Sequence, residues 1–516
     1  DVCSSDLNMA SMFSNDRVLA SIDLTNFDTK NVINFSYMFN SCSELKSLDV
    51  AKLNTEKAED ISFMFAACIK LSAIDLSKFS TSNVKNMNGL FNGCTTLTSI
   101  DVSNFETKNV ENMAKMFSSC SKVSSLDISK FNTEKVTSME EMFYALPLVQ
   151  NLDFKSFKTQ NVRSMRRMFG GCALTNLDLS TFETTETEDV ANMFSNCQKL
   201  TTLSIPKFTL NKAVAMSGMF QNCKALKSLD VTPFNTQNVK NMDNLFQNCE
   251  SLEQLDVSKF STSNVVTMLN MFEGCKNLKS LSFGKVDTSK VTSMEGMFSK
   301  CSSLISLDIS SFDTSNVATM SKMFASCESL TSLDVSSFTG GSLKNIHTMF
   351  QDCFKLTSIN LSKFDTKSIN NLNFVFRNCN ALNFLDISKM GTSTVTQFKS
   401  TFENCKSLTS LSLSSFDTSN GMYFDSMFLN CESLESLDLS NFKTPNLSNL
   451  DSTFQGCKSL KSLDISSFNT EKITRLDNTF ADCISLTSLN LSSFNTNKCA
   501  SFKDTFLNCK MDLYIN

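Results

Sequence analysis

Residues 323–338 read MFASCESLTSLDVSSF, and the same string returns with substitutions along the whole chain. Phe324 is one of twenty phenylalanines, from Phe13 to Phe506, that follow one another every 26 residues, with a single 25-residue step from Phe169 to Phe194. A cysteine stands three residues after that phenylalanine eighteen times. Spacing this strict predicts one stacked array, residues 1–516, as a single continuous repeat domain with no room for a linker.

Starting from its threonine, one unit reads T-x-N-V-x-x-M-x-x-M-F-x-x-C-x-x-L-x-x-L-D-V-S-x-F-x. Val84, Met87, Leu90 and Phe91 follow helical spacing, and Thr81 stands just ahead of them where its oxygen can cap free N–H groups, so this half predicts a short helix. The residue before the cysteine is Asn, Gly or Asp in thirteen of nineteen units, Gly93, Asn196 and Asp352 among them. Those residue types suit the left-handed turn that ends a helix. Around "SIDVS", Leu97, Ile100, Val102 and Phe105 alternate with polar residues, which predicts a strand with one wet face. A unit this small cannot bury its apolar side alone. The expected fold is therefore an α/β solenoid, a leucine-rich-repeat-like stack of about 19–20 units with a parallel sheet on one face and short helices on the other.

The string L-x-x-L-D-V-S-x-F with its preceding M-F-x-x-C resembles the 26-residue repeat of bacterial and mycoplasmal surface proteins, the BspA-like branch of the leucine-rich repeats. The resemblance covers essentially the whole chain. It implies a surface-exposed binding protein, at the cell surface or extracellular, whose repeat residues are structural.

The cysteine ladder runs from Cys42 to Cys509, with Leu146 in one slot and Asp16 in the first unit. A metal site needs three or four converging ligands, often as close pairs with His. Here consecutive thiols lie one coil apart with parallel side chains, and His347 is the only histidine. Catalysis would need a base beside each thiol. Disulfides between neighbouring coils would pinch a regular stack, because parallel side chains hold the β-carbons too far apart. Buried free thiols acting as small apolar residues fit best, and Leu146 supports a slot that asks for volume. The methionine rows, including Met87, Met113 and Met116, read as core. Cys499, at the Val position, also reads as core, and Cys3 reads as exposed and reactive.

If Leu and Val of "LDV" point inward, the residue between them points out. It is Asp in fourteen of nineteen complete units, unbroken over Asp23, Asp49, Asp75, Asp101, Asp127, Asp153 and Asp178. Like charges about 5 Å apart repel by roughly 0.8 kcal/mol per neighbouring pair even at water's dielectric. Ser99 and Ser103, or Lys52, Lys78 and Lys130, are candidates to offset this. Since a uniform face recognises nothing in particular, specificity must come from departures. Phe384, where Ser is usual, beside Asp386 is the best single anchor. Arg163, Arg166 and Arg167 place positive charge on one convex helix. The sequence TGGS at 339–342 loses the threonine at Gly340, and Pro206 with Leu210 disturbs another unit, both read as local loosening. His347 reads as an ordinary convex-face residue. Asn34, Asn360, Asn446 and Asn490 lie in N-x-S sequons.

The net charge of -5 and pI near 5.3 offer no basic patch of the kind nucleic acid needs. No run is apolar enough for a membrane span. With no nucleophile and base pair, phosphate loop or cofactor fingerprint, the sequence predicts no enzyme and no cofactor. The leading expectation is an adhesin or a protein- or glycan-binding module using the outward sheet face. The alternatives are a structural rod that associates end to end in a surface coat or filament, and an intracellular scaffold in the cytoplasm, favoured by so many reduced thiols.

Overall fold

A computed structural model describes residues 7–361 and 363–514. The chain divides into two compact units, residues 1–252 and 253–516. Each is a parallel β-solenoid whose coils are the repeats. In the first unit, strand Ser47–Asp49 pairs in parallel with Ala73–Asp75, and Asn176–Asp178 with Thr202–Ser204. In the second, Gln254–Asp256 pairs with Ser280–Ser282 and Ser332–Asp334 with Ser358–Asn360, always one repeat apart. In strands such as Ser47–Asp49, Gln254–Asp256 and Ser332–Asp334 the Leu faces inward and the residues flanking it face out, the alternation expected from "LDV".

The expected helices are not there. Among the described residues the sole helical element is one 3-10 turn, Val50–Lys52. In the half-coil that carries the methionines, alternate N–H groups leave the coil: those of Phe35, Tyr37, Phe39 and Ser41 donate to the carbonyls of Asp60, Ser62, Met64 and Ala66 at 2.7–2.9 Å. The N–H groups between them, of Met38, Asn40 and Cys42, close tight turns onto the third residue back at 3.0–3.1 Å. The second unit repeats this from Gly296 to Cys301. A helix would send every donor back along its own segment. Here half of them run along the stack instead.

That path needs left-handed residues, and each coil has two, four positions apart, at φ between 51° and 75°, from Ser11 and Asn15 to Asp504 and Asn508. The second of each pair is the residue before the cysteine, so the turn expected at Gly93, Asn196 and Asp352 is present. A single-residue parallel bridge flanks these turns, for example Asn34↔Asp60↔Asn86 in the first unit and Thr267↔Ser293↔Thr319 in the second.

The core is built of continuous files. Phe13 through Phe246 stack at 5.4–6.2 Å between ring centroids and within 17° of parallel. Phe272 through Phe506 do the same at 5.5–5.8 Å and within 12°. Met87, Met113 and Met116 are fully buried, as the methionine rows require.

The threonine expected to cap a helix instead ties one coil to the next. Thr133 is fully buried; its Oγ1 donates to the Lys158 carbonyl at 2.8 Å and accepts the Lys158 N–H at 2.8 Å. Thr288 and Thr418 tie Asp313 and Lys443 in the same way. At Gly340 this tie is lost, yet the chain tightens rather than loosens: Gly340 is buried, and a Cβ there would overlap the Asp365 carbonyl. Leu210 fills the corresponding slot of its own coil, fully buried and left-handed at φ 54°.

Candidate functional site

None of the 19 described cysteines is joined in a disulfide, and 17 of them are buried. Each ladder thiol does more than fill volume: Cys327 donates to the Phe298 carbonyl of the preceding coil at 3.2 Å, and Cys68 to that of Phe39 at 3.2 Å. Burial pushes both thiols up to about 12, which removes the thiolate that nucleophilic or redox chemistry needs. Cys499 is only half-buried, against its expected place in the core, and its thiol donates to the nearby Ser501 carbonyl at 3.2 Å. Cys3 lies outside the described residues. Thiol labelling without denaturant is therefore expected to reach Cys499 and Cys509 among the described cysteines and to spare the other 17 until the protein unfolds. Rapid modification of most thiols in the native protein would contradict this burial. Among the described residues no three His, Cys, Asp or Glu side chains converge as a metal site would require.

The aspartate row has a structural role that the repeat pattern alone does not reveal. In all fourteen cases Oδ1 accepts the backbone N–H two residues on, at 2.8–3.1 Å, closing the turn that follows the strand. This fixed dipole, rather than the neighbouring lysines, is the main offset to the repulsion. Hydrogen bonds from Ser129 and Ser310 hold Asp127 and Asp308 below the usual carboxylate value, with Lys130 a minor contributor at Asp127. Because the folded state depresses these groups, their contribution is complete above the unfolded value of 3.8 and fades as pH falls through the lower folded values. Thermal stability is thus expected to drop as pH is lowered from about 4. Asp308→Asn keeps the acceptor, as Asn490 does for Ser492, but not the charge, and is expected to be slightly less stable than the wild type at neutral pH and to match it at about pH 2.5. A stability that stayed flat from about pH 5 to about pH 2.5 would rule this linkage out.

In the first unit, Asp127, Asp153 and Asp178 come together with Asn151, Lys155 and Thr181 around a depression of about 570 Å³ on the sheet face. Lys155 stands 3.7 Å from Asp153. Phe154 underlies it, replacing the usual Val and packing edge-on against Phe143, Phe169 and Phe182. Asp23, Asp49, Asp75 and Asp101 share the face but do not line the depression. In the second unit Phe384 is 64% exposed, and Asp386 points outward two residues on, between buried Leu385 and Ile387.

The arginine cluster is partly neutralised, Arg163 lying 3.8 Å from Glu188 and Arg167 3.4 Å from Glu141, as a solvated face would be. His347 is half-buried with its ring edge to Phe374 at 5.7 Å, and burial lowers its pKa. One charged row is not evident from the consensus unit. Lys399, Asp425, Asp451, Asp477 and Lys503 occupy the position three residues before the ladder phenylalanine in five consecutive coils. Lys399 pairs with Asp425 at 2.9 Å, while Arg475 bridges Asp451 and Asp477 at 2.9 and 3.0 Å. Burial raises the Asp451 pKa, opposite in sign to the sheet-face acids. Aligning the units on phenylalanine exposes this row.

Among solved structures, the chain is similar to a leucine-rich cell surface protein from Faecalibacterium prausnitzii A2-165 (19% identity over 62% of this chain and 79% of that one, TM-score 0.34). It is also similar to a leucine-rich-repeat protein from Bacteroides ovatus (15%, 96% and 91%, TM-score 0.32). A third is the functional domain of InlJ from Listeria monocytogenes, which includes a cysteine ladder (13%, 70% and 66%, TM-score 0.20). No curated protein matches. Among the described residues, no helix is long and apolar enough to cross a membrane. The family described as "Mycoplasma protein of unknown function, DUF285" matches residues 7–126, 67–182, 122–229, 189–303, 268–383, 344–462 and 425–512. With its repeats tiled from residue 7 to residue 512, the chain belongs to the DUF285 family.

Proposed function

We propose that this protein is a non-catalytic binding module, displayed at a cell surface as one array over residues 1–516, that recognises a protein or glycan where its outward face departs from the repeat. The observation that carries this is a contrast. Each regular aspartate spends one oxygen on its own coil, so the uniform rows serve the fold and its hydration. The departures serve the fold in no such way. Phe384 exposes a large apolar ring on a polar face, and the Asp127–Asp178 depression carries Lys155 where the neighbouring coils hold Ser129 and Ser180. A single aromatic anchor of this kind can dominate an interface.

The test is binding to arrays of glycans and of extracellular proteins, comparing the wild type with two variants that restore the repeat, Phe384→Ser and Lys155→Ser. A ligand retained by the wild type and weakened at least tenfold by either variant supports the proposal. Ligands bound equally by all three would overturn it.

A further inference from the structure

We infer that the second unit holds a site for an anionic saccharide, its sulfate or carboxylate groups met by Lys363, Lys367 and Lys389 and one sugar face resting on Phe384. This rests on the proposed binding role and names the ligand class for the Phe384 region.

A depression of about 460 Å³ is lined by these three lysines together with Asp365, Ser388, Met390, Gly391 and Ser415, so that three ammonium groups face one carboxylate. It exists because one side chain is missing. The repeat position that holds Asp365 in one coil and Asp417 two coils on holds Gly391 between them. Removing an aspartate from that row both opens space and withdraws a negative charge.

The charge balance around it departs from the rest of the chain. Residues 353–412 carry seven Lys and Arg against three Asp and Glu, in a protein of net charge -5. Of the lining lysines, Lys367 is paired with Asp365 at 2.9 Å. Lys363 and Lys389 occupy the same repeat position in consecutive coils, three residues after the strand aspartate. For Lys363 that aspartate is replaced by Asn360, and the coil after Lys389 has Ser412. Asp386 remains, with Oδ1 committed to the Ser388 N–H at 2.9 Å. The acidic row is thus broken on both sides of the depression.

Phe384, Asp386 and Ser388 all point outward from one extended run, with Leu385 and Ile387 buried between them. Four residues of extended chain span about 13 Å, so the ring and the cationic depression lie within the length of a short oligosaccharide. Ser358 and Ser410 occupy the ring's repeat position in the coils on either side, offering hydroxyls beside the apolar surface. An aromatic face, hydroxyls and clustered ammonium groups together match a sugar that carries anionic substituents.

The experiment titrates the full chain with a sulfated hexasaccharide, the same hexasaccharide without sulfate, and an oligoglutamate peptide, each at low and moderate salt. Lys363→Ser/Lys389→Ser and Phe384→Ser are compared with the wild type. Serine already occupies the two lysine positions elsewhere, at Ser337 and Ser415, so the double variant retains the fold. The expected result is at least tenfold weaker binding of the unsulfated sugar and of oligoglutamate. The double variant should lose at least tenfold with a shallower salt dependence, and Phe384→Ser should lose severalfold with the salt dependence intact. Equal binding of both sugars, oligoglutamate binding as tight as the sulfated sugar, or a double variant that binds like the wild type would overturn the inference. If a neutral ligand binds through Phe384 alone, the general binding role survives and only the anionic site falls.

Discussion

Thr133→Val is expected to destabilise the first unit by about 1–3 kcal/mol, since the valine leaves the part-buried N–H and carbonyl of Lys158 facing a methyl group. The shapes of the two side chains are nearly the same, so packing alone would predict little change. Thr133→Ser keeps the hydroxyl and is expected to cost only about 1 kcal/mol, the value of one buried methyl. Urea unfolding followed by circular dichroism separates the cases. A valine variant as stable as the wild type would show that the threonine contributes volume only. A loss of about 1 kcal/mol in both variants would return it to the modest weight of an ordinary cap.

Phe298→Ala should have a larger effect in the second unit, about 3–5 kcal/mol, because a fully buried ring is lost from the middle of a file. Its centroid lies 5.7 Å from Phe272 and 5.6 Å from Phe324, and Phe283 meets its edge at 5.8 Å. No single neighbour can collapse into the space without leaving its own stack. Phe298→Leu fills much of the volume and should lose less than half as much. Equal losses in the two variants would mean that the stacking geometry, rather than the buried volume, is what the position demands.

The periodic part of the fold is legible because side-chain direction is written directly into spacing. The intervals of Leu, Val, Met, Phe and Cys place them inward, and they lie inward. The same spacing wrongly suggests a helix. Phe35, Met38, Phe39 and Cys42 recur at intervals of three and four residues, and that interval reports only which side chains share a face. It is silent on where the backbone donors go. The missing signal is the first left-handed position of each pair, two residues before the ladder phenylalanine, which holds Gly89, Gly218 and Gly296 but also Tyr37, Phe63 and Arg167. Bulky residues there hide the pattern, since their strain is offset by donors that bond the next coil. At the candidate site, Phe384 stands out as the one aromatic residue in a row that otherwise holds Ser, Ala, Asn, Thr or Gln in the complete units. The depression at Gly391 does not, because an absent side chain acquires meaning only once Asp365 and Asp417 are known to flank it.

The alternation of donors along each unit also bears on how such a gene can change. A coil whose methionine half gives alternate amide hydrogens to its successor and accepts the same pattern from its predecessor is interchangeable with any other coil at the level of the main chain. Unequal recombination that adds or removes one whole repeat inside a unit therefore leaves every junction intact. The surface can be lengthened, and its rare exceptional residues moved apart or brought together, without inventing a new fold.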